Sequence, residues 1–218
     1  MPRTRLDREL HKLRKDLEEM GGLVQKSLRD AMSALKNRDT ELALKIIKLD
    51  EEETNVLYME IEERCIQTIA LHQPVAGDLR FISTAMNVAS GLERIGDYSK
   101  DIAVIIPFIV DEENSDTEVE ILQEMGEIAE KMARDAIDAF INKDRGKVDE
   151  VRIKEEEINS LYGSIFPKLN ESVGKDCKKA HLALNLLLIS KYLERIGDHS
   201  VNIVNRAMYT IKGKGKYL

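Results

Sequence analysis

The heptapeptide ERIGDYS spans residues 93–99, and ERIGDHS spans residues 194–200, 101 positions later. Six of the seven letters agree, and the single difference is Tyr98 against His199. A repeated acidic segment of this kind indicates a duplicated fold, a duplicated site or both. The sequence around the two copies distinguishes among these interpretations.

Two other pairs of segments repeat in the same order along the chain. Residues 30–39 align with residues 135–144 at an offset of 105, and EEETNVLY at residues 51–58 aligns with EEEINSLY at residues 155–162 at an offset of 104. Three pairs in one order, separated by small slips in register, are typical of an internal repeat. The chain is therefore predicted to be a tandem duplication.

Composition and charge favour a helical protein that does not bind nucleic acid. Charged residues make up 33% of the 218 residues and aromatic residues 5%, and no segment alternates in the manner of a β-strand. The net charge of −7 argues against a nucleic-acid partner, because such surfaces are basic. Two isolated cysteines and no evident signal peptide lead us to expect a cytoplasmic location. No apolar run approaches the roughly 20 residues that span a bilayer, so any association with a membrane is expected to go through protein partners.

Each repeat is predicted to contain three amphipathic helices. In the first of them, apolar residues recur at intervals of three, four and seven, which places them on one face. These residues are Leu10, Leu13, Leu17, Met20, Val24, Leu28 and Leu35. Long helices joined by short turns pack as antiparallel bundles. We therefore predict an all-α fold with six long helices, arranged as two antiparallel three-helix bundles side by side, at residues 1–110 and 117–218.

Both ERIGD segments lie in the third helix of a repeat and carry acids four residues apart. Residues i and i+4 share one face of a helix, with Cβ atoms about 5–6 Å apart. The oxygen-bearing residues continue for one more turn in each copy: Glu93, Asp97 and Asp101 in the first, and Glu194, Asp198 and Asn202 in the second. Ile95 and Ile196 point elsewhere and are expected in the core.

The second helix of each repeat supplies a similar pair of oxygen-bearing residues. Glu51 and Asn55 are four residues apart, as are Glu155 and Asn159. If the second and third helices are antiparallel neighbours, these pairs can face the acids of the third helix. Carboxylate and amide oxygens without His or Cys suit hard cations such as magnesium, calcium, manganese or iron. The pattern therefore predicts a metal site in each half.

Two alternatives to a metal-binding regulator remain open at this point. A carboxylate-bridged di-metal oxidase or metal-storage bundle has a related architecture but carries Glu-x-x-His pairs, which are missing here. A purely structural helical scaffold would leave the same acids as a solvated face. His199 lies about 100° around the helix from Asp198, and we interpret it as a surface or boundary residue.

The duplicated ERIGD, the EEE-x-N-x-L-Y pair and the segment QPVAGDLR at residues 73–80 together resemble the PhoU family of phosphate transport regulatory proteins. The resemblance covers nearly the whole chain. It implies multinuclear iron or zinc clusters on the acidic residues, and manganese or magnesium would suit the same oxygens. It also implies a non-enzymatic repressor of the phosphate-starvation response that links the ATPase subunit of the high-affinity phosphate ABC importer to a phosphate-sensing histidine kinase. A homodimer is expected.

The two halves also differ in ways that bear on their function. The counterpart of QPVAGDLR in the second half is KDCKKAHL at residues 175–182. Asn202 replaces Asp101, which leaves one charge fewer in the second half. The halves therefore need not bind metal, or partners, equally.

Overall fold

The computed structural model describes residues 2–112 and 116–212, and nearly all of them are helical. The first half contains α1 (Pro2–Asn37), α2 (Thr40–Leu49), a π-helical turn (Asp50–Thr54), α3 (Asn55–His72) and α4 (Ala76–Ile109). The second half contains α5 (Asp116–Asn142), α6 (Arg145–Lys175), a 3-10 turn (Cys177–Lys179) and α7 (Ala180–Lys212). Because α2, the π-helical turn and α3 follow one another without a break, each half has three long helices. The predicted all-α fold with six long helices is confirmed.

The division into units at residues 1–110 and 117–218 stays a prediction. α4 ends at Ile109, and α5 begins at Asp116. Residue 1 and residues 213–218 of these predicted units lie outside the described residues. Within the described ranges, no helix is both long and apolar enough to cross a membrane.

The π-helical turn accounts for one slip in register between the repeats. Glu51 follows Asp39 by 12 positions, whereas Glu155 follows Asp144 by 11. A π-helical turn bonds residue i to residue i+5, so it holds one residue more than an α-helical turn. The extra residue of the first half is therefore absorbed within the helix, and the corresponding acidic segment of α6 remains α-helical.

The entry into the second long helix is built in the same way in both halves. Arg38 and Lys143 take the left-handed conformation, with φ of 55° and 56°, and thereby end the first helix of each half. The next residue then caps the following helix. The Asp39 carboxylate accepts a hydrogen bond from the amide three residues on at 2.9 Å, and Asp144 accepts one from the amide two residues on at 2.8 Å.

The apolar face that the sequence predicted for α1 is buried. Its seven residues are at most 5% exposed, and they belong to one core that extends through both halves. Ile95 and Ile196 are fully buried, as predicted. The hydrophobic core therefore continues from one three-helix bundle into the other.

Two duplicated glycines allow α1 and α5 to approach each other closely. A Cβ on Gly126 would lie 2.7 Å from Cγ of Met32, and a Cβ on Gly21 would overlap the side chain of Ile137. At the offset of 105, Gly126 and Ile137 are the counterparts of Gly21 and Met32. The contact is therefore repeated about an approximate two-fold axis between the bundles.

The same axis runs between α4 and α7, which pack against each other in antiparallel directions. Tyr98 and His199, which are counterparts in the repeat, have ring centroids 5.7 Å apart. Tyr192 stacks on Tyr98, also with a centroid distance of 5.7 Å. Gly91 lets Ile203 approach, because a Cβ at this position would lie 3.0 Å from Cγ1 of that side chain. His199, interpreted as a surface or boundary residue, is half-buried at this contact between the two halves.

Candidate metal site on the acidic stripes

The two acidic stripes, defined as Glu93, Asp97 and Asp101 on α4 and Glu194, Asp198 and Asn202 on α7, lie on helix faces that point away from the core. Between the acids of each stripe, the intervening Ile and Gly are buried. The exposed fraction of the four acidic side chains in the ERIGD segments lies between 14% and 33%. These side chains are Glu93, Asp97, Glu194 and Asp198. Their oxygens are therefore accessible but partly shielded from water.

Gly197 brings α6 close to the stripe on α7. A Cβ at this position would lie 3.3 Å from Cγ2 of Ile158 and 3.5 Å from Cε of Met132. Glycine within a helix costs about 1 kcal/mol relative to Ala. Gly197 therefore permits a closer crossing of α6 and α7 than a residue with a Cβ would without a shift of Ile158.

α6 and α7 place one acid from each helix near the other. Burial raises the pKa of the Glu155 carboxyl, and the negative charge of Asp198 raises it further. Farther along the same antiparallel pair, Arg152 Nη2 donates a hydrogen bond to Asn205 Oδ1 at 3.1 Å. Glu155 of α6 therefore lies near enough to Asp198 of α7 for their charges to interact.

Basic side chains of α7 partly compensate the charge of its stripe. Lys191 Nζ lies 2.7 Å from Glu194 Oε2 and 5.0 Å from the centroid of the Tyr162 ring. Arg195 Nη1 lies 3.0 Å from Asp198 Oδ2. Partly exposed ion pairs along one helix contribute only about 0.3–0.5 kcal/mol each. A multivalent cation can therefore compete with them for the same oxygens.

The stripe on α4 has a similar set of neighbours. Asp97 lies 3.4 Å from Arg94 and 3.2 Å from Lys100, and Arg94 also lies 3.5 Å from Glu93. One turn later, burial raises the pKa of the Asp101 carboxyl, and the charge of Asp97 raises it further. The surroundings of Asp101 therefore disfavour its negative charge.

The second helix of the first half contributes residues on both sides of the π-helical turn. Glu51 lies within this turn, and its side chain is outside the described residues. Asn55 opens α3 and is half-buried. Burial raises the pKa of the Tyr58 hydroxyl, and the charges of Glu62 and Glu93 raise it further. Tyr58 is therefore a neighbour of the α4 stripe, to which Glu93 belongs.

The predicted amide ligands of the second half are exposed. Asn159 on α6 and Asn202 on α7 both reach solvent. In the described part of the chain, neither makes a hydrogen bond to the neighbouring carboxylates.

The two stripes flank the contact between α4 and α7. Burial lowers the pKa of His199, Asp198 opposes this shift, and Arg94 and Arg195 add to it. Tyr98 and His199, one from each ERIGD segment, have ring centroids 5.7 Å apart, so the two segments lie beside each other. Both stripes therefore border one surface of the molecule.

The oxygen atoms of the stripes are of the kind that binds a hard cation, but no three of the described carboxylates lie around one common point. Among the described side chains, no three of His, Cys, Asp or Glu are close enough together to hold a metal ion. Carboxylate oxygens are nevertheless the ligands that magnesium and manganese prefer. Burial and, after it, a neighbouring carboxylate raise the pKa values of Asp101 and Glu155, and a bound cation would favour the charged form of both groups.

Glu155→Gln is expected to stabilise the metal-free protein at pH 7 and to lose this advantage as the pH falls. The folded state holds the Glu155 proton more tightly than the unfolded chain does, so the carboxylate destabilises the fold above its ordinary pKa of 4.5. Below that pH both states are protonated, and the difference disappears. Urea denaturation of chelator-treated protein at several pH values measures this effect.

Asp149→Asn, on an exposed position of the same helix, is the control for that experiment. Because it removes the same charge from an exposed position, a gain in stability shared by both variants would be an effect of net charge and not of the surroundings of Glu155. A Glu155→Gln variant that is less stable than the parent at pH 7 would show that the carboxylate is a structural anchor.

Sequence reasoning missed several neighbours of the stripes. Tyr58 and Tyr162 close the repeated EEE-x-N-x-L-Y motif, so the repeat itself held a signal for them. Lys191 was not predicted either, although it precedes Glu194 by three residues and so shares its helix face. The sequence did allow Arg94 and Arg195 to pair with neighbouring acids, and both pairs are present in the structure.

A tandem pair of three-helix bundles, each with an acidic stripe on its third helix, defines a class of duplicated helical proteins. The model of the PhoU domain matches residues 17–106 and, a second time, residues 122–207. These two matches cover most of the chain, one in each half. The chain belongs to the PhoU family.

Full-length relatives support the same assignment. The phosphate-specific transport system accessory protein PhoU homolog of Clostridium acetobutylicum is 36% identical over 215 residues, covering 98% of this chain and 97% of that one. The homolog of the same name from Zymomonas mobilis is 35% identical over 208 residues, covering 95% and 87%. The relatives are accessory proteins by name, and the chain is a regulatory accessory protein of phosphate transport rather than an enzyme.

Two crystal structures share the fold over almost their whole length. PhoU from Pseudomonas aeruginosa superimposes with a TM-score of 0.90 at 31% identity, covering 95% of this chain and 99% of that one. The phosphate transport system regulatory protein PhoU from Streptococcus pneumoniae gives a TM-score of 0.89 at 30% identity, covering 98% and 100%. The duplicated bundle is therefore the fold of the family.

Proposed function

We propose that this chain is a cytoplasmic, metal-binding adaptor that represses the phosphate-starvation response. In this proposal it couples the ATPase subunit of the high-affinity phosphate ABC importer to a phosphate-sensing histidine kinase, and it acts as a homodimer. Membership of the PhoU family supports the regulatory role. Helices without a catalytic nucleophile or a phosphate-binding glycine loop suit an adaptor.

The observation that carries the metal-binding part is the facing pair Glu155 and Asp198. Each of these carboxylates belongs to a different helix, and after burial the negative charge of Asp198 is the next cause that raises the pKa of the Glu155 carboxyl. The proposed ligands are Glu51, Asn55, Glu93, Asp97 and Asp101 in the first half, and Glu155, Asn159, Glu194, Asp198 and Asn202 in the second. Iron or zinc is the proposed metal, with manganese or magnesium as alternatives.

Metal binding would change the surface charge that a partner protein contacts. A bound cation supplies positive charge at a surface that is otherwise acidic. Lys191, Arg195, Arg94 and Lys100 now pair with the stripes, and they would be released from those pairs when a cation takes the same oxygens. The surface bordered by both stripes would thereby change its charge with metal content.

Metal quantification of protein purified without chelator tests this proposal. We expect bound iron or zinc in the parent chain, and a loss of the metal of one half in each of two double variants, Glu93→Gln with Asp97→Asn and Glu194→Gln with Asp198→Asn. Added metal at 100 times its Kd should stabilise the parent chain by about 2.7 kcal/mol per site. The double variants should keep their helicity but lose the corresponding part of this gain.

A matched pair of acids on α5 provides the control. Glu120 and Glu124 are also four residues apart and exposed, so Glu120→Gln with Glu124→Gln removes the same charge from a different surface. This control should keep the full metal content. Absence of copurified metal, together with an unchanged melting temperature on metal addition, would favour the structural scaffold instead. Redox activity of the metal-loaded protein would favour the di-metal oxidase alternative, and deposition of a metal mineral by the protein would favour the storage alternative.

Purified components test the proposed partners. The ATPase subunit and the cytoplasmic part of the kinase should each bind the chain in a pull-down assay, and light scattering should give the mass of a dimer. If the chain retains metal but binds neither the ATPase subunit nor the kinase, it is a metal-binding protein and the proposed adaptor role is wrong.

A further inference from the structure

We propose that the outer face of α3 is a docking surface for a basic amphipathic helix of a partner protein. We define this α3 outer face by Val56, Met59, Ile66 and Leu71. Val56 directly follows the proposed metal ligand Asn55, but the docking proposed here needs no metal. Assigning the partner to phosphate regulation rests on the proposed function, whereas the surface itself does not.

The α3 outer face exposes apolar side chains that a surface helix ordinarily buries. Its four members are between 43% and 76% exposed. The opposite side of α3 is already packed in the core through Ile61, Cys65 and Thr68. A helix with one apolar side in the core has no folding requirement for a second one, and exposed apolar clusters mark interaction sites.

A groove adjoins this face along the first part of α1. It has a volume of about 690 Å³, and Met59 and Leu71 line it together with Glu9 and Lys12 of α1. Amphipathic helices bind in grooves of this kind through apolar residues spaced three, four and seven apart. Val56 and Ile66 do not line the groove but lie beside it on the same exposed side of α3, three and seven residues from Met59.

The repeat supplies an internal comparison for these residues. At the offset of 104, the counterparts of Val56, Met59, Ile66 and Leu71 on α6 are Ser160, Gly163, Asn170 and Lys175. All four counterparts are exposed. The second half therefore builds the same helix in the same bundle without apolar residues at these positions, so the fold does not account for them in the first half.

The charges around the α3 outer face select a basic partner. Glu60 and Glu63 line the groove and are exposed. The nearby bases are already paired within the chain: Lys12 lies 2.9 Å from Glu9, and Arg64 lies 2.7 Å from Asp16. Among the described side chains, Glu60 forms no ion pair. The charge left for a partner is therefore negative.

This charge also argues against the other occupants. A second copy of the chain would bring the same acids against each other, since a two-fold contact pairs a surface with itself. The cytoplasmic surface of a membrane carries anionic lipids, which an acidic face repels. A helix with an apolar side flanked by Lys and Arg complements both the apolar residues and the charge.

Binding of designed peptides tests the proposal. The probe is a labelled helical peptide of Leu and Lys, with Leu at every third and fourth position, and the reference is the same pattern of Leu and Glu. Fluorescence anisotropy with the chelator-treated full chain should show binding of the Leu/Lys peptide and weak binding of the Leu/Glu peptide. Val56→Ser with Ile66→Asn, which introduces the residues of the second half, should weaken binding by about tenfold or more.

Two further variants make the test specific. Ile153→Ser with Phe166→Asn removes two exposed apolar residues from α6 and should leave the affinity unchanged. Glu60→Lys with Glu63→Lys should weaken binding of the Leu/Lys peptide and strengthen binding of the Leu/Glu peptide. All substituted positions are exposed, and unchanged melting curves would verify that each variant is folded.

Several results would overturn the proposal. Equal losses in the α3 and α6 variants, or no loss in either, would show that the peptide binds by charge alone. A dimer that dissociates in the α3 variant would identify a second copy as the occupant, and binding to phosphatidylglycerol vesicles through this face would identify a membrane. Failure of the peptide test with metal content and partner pull-down intact would reject the surface and leave the proposed function standing. Loss of metal with peptide binding intact would do the reverse.

Discussion

Phe140→Ala is expected to lower the free energy of unfolding by about 3–5 kcal/mol, the usual cost of removing a fully buried aromatic ring. Phe140 on α5 is 1% exposed, and its ring stacks on that of Phe81 on α4 with a centroid distance of 5.2 Å. The guanidinium of Arg14 on α1 lies 4.6 Å from the centroid of the Phe81 ring. The variant therefore opens a cavity where helices of both halves meet. Urea denaturation followed by circular dichroism measures the loss.

Phe166→Ala is the matched control for this change. Phe166 belongs to α6 of the same half but is 58% exposed, so its truncation should alter the free energy of unfolding by less than about 0.5 kcal/mol. If the two variants lost similar stability, the contact between Phe81 and Phe140 would not be part of the core. A biphasic transition in Phe140→Ala alone would show that the two halves had become uncoupled.

Gly126→Leu is expected to destabilise the protein by about 1–3 kcal/mol, the range for overpacking a well-filled contact. The new side chain must occupy space that Met32 already fills, because even a Cβ would lie 2.7 Å from Cγ of Met32. α1 and α5 would have to separate, and with them the two bundles. The midpoint of urea denaturation provides the measurement.

Gly22→Leu should raise the free energy of unfolding, whereas Gly126→Leu should lower it. Gly22 lies in the middle of α1, and a Cβ at this position would meet no neighbouring atom within 4 Å. Leucine therefore adds helix propensity without a clash and should stabilise the protein by up to about 1 kcal/mol. Met32→Ala should recover part of the loss when combined with Gly126→Leu, because it frees the same space. Strict additivity of these two changes would mean that the side chains do not meet.

Much of the candidate site followed from spacing along single helices. Residues four apart share a helix face, so the stripes Glu93/Asp97 and Glu194/Asp198 could be predicted without a structure. The pairing of Glu155 with Asp198 also required the register between α6 and α7, which spacing along one helix does not contain. The pairing of Arg195 with Asp198 was open to prediction in the same way, and so was that of Lys191 with Glu194, since each base lies three residues from its acid on the same helix.

The role of the tyrosine-to-histidine difference depended on tertiary structure. Tyr98 and His199 occupy the same place in the two repeats, and their sequence neighbourhoods give no reason to expect a contact. They meet because an axis that relates two halves must pass between equivalent elements, here α4 and α7. The duplicated glycines at 21 and 126 follow the same rule, since each receives a side chain from the other half.

The sequence by itself determined that this protein is an all-α tandem duplication with an acidic stripe on the third helix of each repeat. Helical periodicity and caps depend on residues close together in the sequence, and a repeat is found by comparing one part of the sequence with another. None of them requires knowledge of the tertiary structure. Tertiary structure alone decided which faces of the two halves join, where the π-helical turn absorbs the extra residue, and which apolar side chains stay exposed on α3. Those features depend on packing between segments far apart in the chain, where each helix face has several possible neighbours and close packing of the core selects one of them.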